Sequence, residues 1–288
     1  MNHHSVFVPG FLAVDPQVVS AEIRENGYYV FEEALTSPFI DALVSDFECS
    51  DILENSTRIL PHYRFNCKNY MYGLAVSKYY FNLLTHNKIF EICDEILGSQ
   101  FSLYSHRYYE SHPGGEIPWH IDSKDDVTKC RIETNGLQFL AYCIDVLDGE
   151  TQAVQKSNSE NINDLVSFSK ELIDSRFPNR VKGFRLPAGS LLIMDTKTIH
   201  RAVPITTCGY VRKAVQFRVN EGYIDGQEQI VNASFFDLKE KPRLTYYFKF
   251  GITPTSQNSE VDDNHIPLTV FLKRSAKIIS NKTKAYFR

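Results

Sequence analysis

Long apolar runs are missing. Nothing in the 288 residues approaches the about 20 needed for a helix to cross a bilayer. Paired cysteines are missing too: Cys49, Cys67, Cys93, Cys130, Cys143 and Cys208 are scattered, with no Cys-x-x-Cys. That argues against a zinc knuckle or disulfide framework and for reduced thiols. Positive charge is not in excess, with 31 Lys and Arg against 35 Asp and Glu, a formal charge of −4. A whole-domain basic footprint for nucleic acid is therefore absent. Residues 1–17 carry neither the basic nor the apolar stretch of a secretory signal, so a cytoplasmic protein is expected. The glycosylation-like triplets at Asn55, Asn232 and Asn281 then read as chance. There is no internal repeat and no low-complexity tract.

Aromatic residues are plentiful: 20 Phe and 16 Tyr, 13% with the single Trp, in a chain with 43% hydrophobic and 23% charged residues. Such a chain folds, and rings on this scale suit packed sheets better than a helical bundle. A helix is expected from Pro16 to Asn26, stopped by Gly27, with a β-rich run at Tyr28–Phe31. Ser37-Pro38 marks another helix start, with Ile40, Leu43, Val44 and Phe47 at helical spacing. Asn87–Leu97, closed by Gly98, is a third. From Phe101 the texture changes to short β-rich runs between Gly, Pro, Asn and Asp clusters. The expected strands are Phe101–Tyr109, Gly136–Val146, Gly183–Leu186, Ser190–Asp195, Val211–Val219 and Tyr246–Phe250. That rhythm argues a sandwich or barrel. The reading is one domain, mainly β with supporting α-helices. A helical support region spans 1–100, and a β core spans 101–250 with a polar, partly helical insert at about 155–180. A C-terminal extension, 251–288, carries a basic tail read as a solvated face.

The segment Pro118-Trp119-His120-Ile121-Asp122 carries the chemistry. Residues i and i+2 of a strand point to one face, so His120 and Asp122 can converge on one ion. His200 ends the strand-like run from Ser190 and offers a third ligand. Two imidazoles and one carboxylate on one side of an ion leave open positions opposite, the facial triad of non-haem Fe(II) oxygenases. A His-x-Asp triplet alone is common; two β-rich segments eighty residues apart give it weight. In Val211–Val219, alternation puts Val211, Val215, Phe217 and Val219 on one face and Arg212, Ala214, Gln216 and Arg218 on the other. An arginine facing the inside of a barrel needs an anion, and a guanidinium grips a carboxylate with two hydrogen bonds. Ala214 beside it leaves room for a ligand. The loop His112–Ile117, the aromatic stretch 62–70 and Ser123–Asp126 read as flanks of a pocket for a polar substrate, with the loop as a lid.

These segments together resemble the phytanoyl-CoA dioxygenase family of Fe(II)/2-oxoglutarate-dependent oxygenases. Glu25–Phe31 with Leu35–Leu43 is similar to the family's opening helix, strand and helix. Trp119–Asp122 is similar to its first iron motif, and Leu186–Asp195 with Ile199-His200 to the approach to its distal histidine. Gly209–Ala214 is similar to the segment carrying its co-substrate arginine. The resemblance implies a double-stranded β-helix, a cupin-like jelly roll. It implies that His120, Asp122 and His200 hold Fe(II) and Arg212 the distal carboxylate of 2-oxoglutarate. Gln138 and Tyr104 are further co-substrate contacts by the same resemblance. The implied activity is oxidation of a small, polar molecule by O2, with release of succinate and carbon dioxide. Because Asp122 is intact, hydroxylation or another oxidation is implied rather than halogenation. Where the family has a Gly-Ser-His turn, this chain reads Gln155-Lys156-Ser157-Asn158-Ser159. Two alternatives stand beside this reading: an oxygenase acting on protein or nucleic acid, and a non-catalytic jelly-roll binding protein. Oligomeric state is not legible.

Overall fold

The computed structural model describes residues 4–48, 66–70, 72–122, 135–160, 168–222, 229–236 and 243–249. The basic tail, Ser123–Asp126 and residues 62–65 of the aromatic stretch lie outside the described residues. Among the described residues, ten strands form two antiparallel sheets. They are β1 (Tyr28–Phe31), β2 (Cys67–Tyr70), β3 (Phe101–Ser111), β4 (Ile117–His120), β5 (Gly136–Tyr142), β6 (Thr151–Val154), β7 (Val181–Phe184), β8 (Leu191–Asp195), β9 (His200–Ala202) and β10 (Arg212–Glu221). The larger sheet runs β1-β8-β5-β10-β3-β2 and the smaller β4-β9-β6-β7. This is the jelly-roll architecture that the resemblance implied.

The helices form where the sequence caps them. Asp15 accepts a hydrogen bond from the amide of Gln17, Pro16 opens the Pro16–Asn26 helix, and Gly27 closes it at φ 87°. Gly27 is also pressed against the turn before His200. A Cβ there would lie 2.6 Å from Thr198 Oγ1, and the Gly27 carbonyl accepts from that hydroxyl (2.8 Å) and from the Asp195 amide (3.0 Å). The Asn87–Leu97 helix, capped by His86, buries Ile89, Phe90, Ile92, Cys93 and Leu97. With Phe39, Leu43 and Phe81 of neighbouring helices it covers the outer face of the larger sheet. There Phe139 and Phe217, directly opposed across β5 and β10, stack with centroids 4.6 Å apart.

The second core lies between the sheets. Leu140, Tyr142, Leu192, Met194 and Ala214 of the larger sheet meet Ala153 and Phe184 of the smaller. Tyr142 donates to Thr151 Oγ1 at 2.9 Å, joining the two sheets. A third cluster covers the outer face of the smaller sheet. Ile173 and Phe177, on and just after the Lys170–Arg176 helix, pack on Trp119, Ile121, Val154 and Ile199. Both sheets therefore carry a helix on the outside.

One expected strand is corrected. Most of Tyr246–Phe250 falls in or just after a helix, Arg243–Tyr247. Leu244 and Tyr247, three apart, are both buried, and Arg243 pairs with Asp94, so helical spacing decides over the β propensity of the tyrosines. Among the described residues no helix is long and apolar enough to cross a membrane.

Candidate metal centre

His120 ends β4 and His200 opens β9, and the two residues pair directly across the smaller sheet. The register shifts between Ile117 and His120, a stretch that holds Pro118, which has no amide hydrogen to give to the ladder. The two rings lie 4.2 Å apart, tilted by 52°. Each histidine hydrogen-bonds through Nδ1 to a carbonyl two residues earlier: His120 to Pro118 (2.8 Å) and His200 to Thr198 (2.9 Å). A carbonyl only accepts, so the proton sits on Nδ1 and the Nε2 lone pair is left for a metal.

Asp122 faces both Nε2 atoms. Its Oδ1 is 3.5 Å from His120 and its Oδ2 3.6 Å from His200. The amide of Asp122 donates to Thr196 O (2.9 Å), binding the chain after β4 to the turn that precedes His200. Ser157 fixes the same turn from behind, accepting from the Ile199 amide (2.9 Å) and donating to Val154 O. The stretch Gln155–Ser159, which departs from the resemblance, thus supports the distal histidine.

Burial alone would push the Asp122 carboxyl up, but His200, His120 and Arg218 together hold it well below the ordinary carboxylate range. Burial, and then the charge of His120, lower His200 to about 4, so it is neutral and able to ligate at neutral pH. Burial opposes protonation of His120, but the hydrogen bond and charge of Asp122 outweigh it and raise its pKa. One oxygen of the carboxylate, Oδ2, is buried without a hydrogen-bond partner. Such an orphan costs about 1–3 kcal/mol or more, and a cation among the three ligand atoms removes the cost. All three donors lie within 4.8 Å of one another. The donor set, two imidazole nitrogens and a carboxylate, suits a divalent iron-like ion.

Arg212 opens β10, opposite Ser111 of β3, and is buried (2% exposed). Its Nη1 donates to Gly149 O and its Nη2 to Ser111 Oγ at 3.4 Å, while Nε has no partner. Gly149 sits at φ 65°, and a Cβ there would strike Ile205 Cγ1 at 2.3 Å, so glycine is required where the arginine rests. No carboxylate pairs with Arg212 among the described residues. It is a buried cation with an open donor, and the small Ala214 follows it on the same strand face.

The structure brings Gln138 and Tyr104 to the Arg218 end of β10. Gln138 is buried on β5, opposite Arg218. Tyr104 is the extra residue of a bulge between β3 and β10, and its ring lies under Arg218 at 4.2 Å. The expected lid is not loose: Gly114 donates to Ile205 O (2.8 Å) and Ile205 donates back to Gly115 O. Sequence reasoning put Arg218 on the face of Arg212 but gave it no contact in the site, and it missed Arg107. Arg218 donates to the carbonyl of Asp122. Arg107, on β3, stands near enough to oppose protonation of His120. The signal for Arg107 was its alternation with the inward Tyr109 and Ser111.

No protein-family model matches the chain, the phytanoyl-CoA dioxygenase family included, and no curated relative matches it in sequence. Solved structures do match its shape. HygX from Streptomyces hygroscopicus, with nickel and 2-oxoglutarate bound, aligns with TM-score 0.60 at 17% identity, over 76% of this chain and 91% of its own. SnoK, a non-heme α-ketoglutarate-dependent carbocyclase from nogalamycin biosynthesis, gives 0.55 at 15%, over 76% and 87%. SnoN, an α-ketoglutarate-dependent epimerase from nogalamycin biosynthesis, gives 0.56 at 15%, over 73% and 82%. The chain is therefore built on the fold that these 2-oxoglutarate-dependent enzymes use.

Proposed function

We propose that the protein is an Fe(II)- and 2-oxoglutarate-dependent oxygenase that hydroxylates, or otherwise oxidises, a small polar molecule. The observation that carries this reading is the convergence of His120, Asp122 and His200, with Arg212, buried and without a carboxylate partner among the described residues, on the same strand face as the Arg218 that bonds the Asp122 carbonyl. Bound iron and 2-oxoglutarate supply the oxidation: one atom of O2 enters succinate as carbon dioxide leaves, and the other goes to the substrate. The protein's own residues bind and orient. The two Nδ1 hydrogen bonds hold the imidazoles with Nε2 inward. Arg212 takes the distal carboxylate of 2-oxoglutarate through Nε and Nη2, and Ala214 gives the carbon chain room. Arg212 suits this role better than Arg218, whose guanidinium is occupied by the Asp122 carbonyl and by Asn220 Oδ1 (2.8 Å). Gln138 is a polar contact for the co-substrate at the metal end, and Tyr104 acts through Arg218. The order of motifs favours a place near the phytanoyl-CoA dioxygenase family.

A second reading, in which the oxidation ends in epimerisation or ring closure, is favoured by the likeness to SnoN and SnoK. Product analysis separates the two. The experiment that tests the main reading loads the protein with Fe(II) and 2-oxoglutarate without oxygen, then admits oxygen over a panel of small polar molecules. One succinate per oxidised substrate is expected. Protein that takes neither iron nor 2-oxoglutarate, with no decarboxylation even in the absence of substrate, is instead a jelly-roll binding protein.

A further inference from the structure

Arg107 is a charged group near His120 to which the oxygenase reading gives no task. It lies on β3 opposite Gln216 of β10. Its sequence neighbours His106 and Tyr108 turn away, His106 to the Tyr80 hydroxyl (3.1 Å) and Tyr108 into the helix-side core. Alternation therefore points Arg107 inward with Tyr109, which packs in the cluster between the sheets. Its Nε and Nη2 both donate to one atom, Gln216 Oε1, at 2.8 Å for Nε. Its guanidinium lies over the Tyr109 ring, 5.3 Å from the centroid. Both partners are neutral. Arg107 makes no ion pair with a carboxylate, and Nη1 makes no hydrogen bond among the described residues.

A half-buried guanidinium held on one side by neutral groups is a pre-set fork. Gln216 and Tyr109 fix its plane, so little freedom is lost when a planar or tetrahedral oxyanion arrives. Charge balance at the centre says which molecule brings that oxyanion. Iron and 2-oxoglutarate would cancel, as would Asp122 and Arg212, leaving Arg107 and Arg218 as surplus positive charge; Arg218 already donates to the Asp122 carbonyl and to Asn220, so Arg107 is the one with a donor to spare. The strand also sits well for entry. β3 is next to β2, the edge of the larger sheet, and His120, at the end of β4, keeps 35% of its side chain exposed against 6% for His200.

We infer that Arg107 binds an oxyanion carried by the molecule that is oxidised, so that the substrate is an acid: a carboxylate, a phosphate ester or a sulfate. The inference rests on the oxygenase reading and names the substrate class of that site.

The test uses Ni(II)-loaded protein saturated with 2-oxoglutarate under nitrogen, so that the co-substrate fills its own place. Acetate, inorganic phosphate and sulfate are titrated separately, with acetamide as the neutral control, by calorimetry and melting temperature. At least one oxyanion is expected to bind and raise the melting temperature, and the best of the three tells carboxylate from phosphate from sulfate. Arg107→Met is expected to weaken that anion by about tenfold or more, and Arg107→Lys to recover part of the loss. The melting temperature of each variant without anion reports folding. Should the Met protein not fold, the Lys protein carries the comparison by losing the fork. A 2-oxoglutarate titration of the same variants reads the other arm. Equal anion binding by wild type and Arg107→Met overturns the inference, as does a wild type that binds none of the three. Loss of 2-oxoglutarate affinity as large as the loss of anion affinity also overturns it, because Arg107 is then a co-substrate contact. Wild-type protein that takes the metal but no 2-oxoglutarate counts against the oxygenase reading instead. Arg107-dependent anion binding is then read on metal-loaded Arg212→Met protein.

Discussion

The two faces of β10 differ as much as any two regions of the molecule. Val215, Phe217 and Val219 point outward into the helix-covered core, and Arg212, Gln216 and Arg218 point inward, on the side of the candidate metal centre. The outward face is held by area removed from water, which tolerates any apolar shape of about the right size. The inward face holds charge that burial opposes, and each cation there is placed by a named acceptor: Gly149 O for Arg212, Asp122 O for Arg218. One strand thus carries stability and chemistry separately, because its side chains alternate.

That separation can be broken from either side. The largest effect is expected at the centre itself: His200→Ala should abolish metal binding and turnover together, measured by metal analysis and succinate release, while the protein stays folded. A metal-replete, active His200→Ala protein would sink the triad. On the outward face, Phe217→Ala should cost about 3–5 kcal/mol in urea unfolding, because it removes a stacked ring and leaves a cavity against Phe139. What survives folded should still bind metal, and loss of metal without loss of stability would show that the two faces are not independent. Arg212→Ala should weaken 2-oxoglutarate by about 2–5 kcal/mol, tens- to thousands-fold, with iron retained and Arg212→Lys intermediate. If Arg218→Ala weakens 2-oxoglutarate and Arg212→Ala does not, the assignment of the two arginines is reversed.

The smallest effect is a pH dependence on the outward side. Burial lowers His106 to about 3, against which the Gln229 hydrogen bond counts little. The folded state thus holds the neutral ring while the unfolded chain takes up a proton below about 6.5. Stability from this residue is complete above that pH. It is lost as the pH falls toward 3, at up to about 1.4 kcal/mol per unit. Comparing His106→Gln with the parent in unfolding from pH 7 to pH 4 isolates the term. An unchanged slope would mean that other groups set it.

Much of the framework was legible because its signals are local. The caps of Pro16–Asn26 and Asn87–Leu97, and the alternation of β10, each need only neighbours in sequence. The short strands β2, β6 and β9 were not read. Four residues or fewer give alternation no length to show, and their pairing partners are remote. The Arg243–Tyr247 helix was read as a strand because its tyrosines favour sheets, while the ion pair to Asp94 lies 149 residues away.

The sequence by itself determined the candidate ligand types, their order along the chain, and which residues of β10 share a face with Arg212. The period of two follows from backbone geometry alone, whereas the expected strand through both His120 and Asp122 is corrected: β4 ends at His120 and Asp122 lies in the turn that follows. Only the tertiary structure decided that His120 and His200 pair across β4 and β9, that the Thr196–Thr198 turn ties Asp122, Gly27 and His200 together, and that Arg218 reaches the Asp122 carbonyl while Arg107 lies near His120. Those facts depend on which strands become neighbours. That choice is made by the burial of whole sheet faces and the closing of long loops, and no short window of sequence contains it.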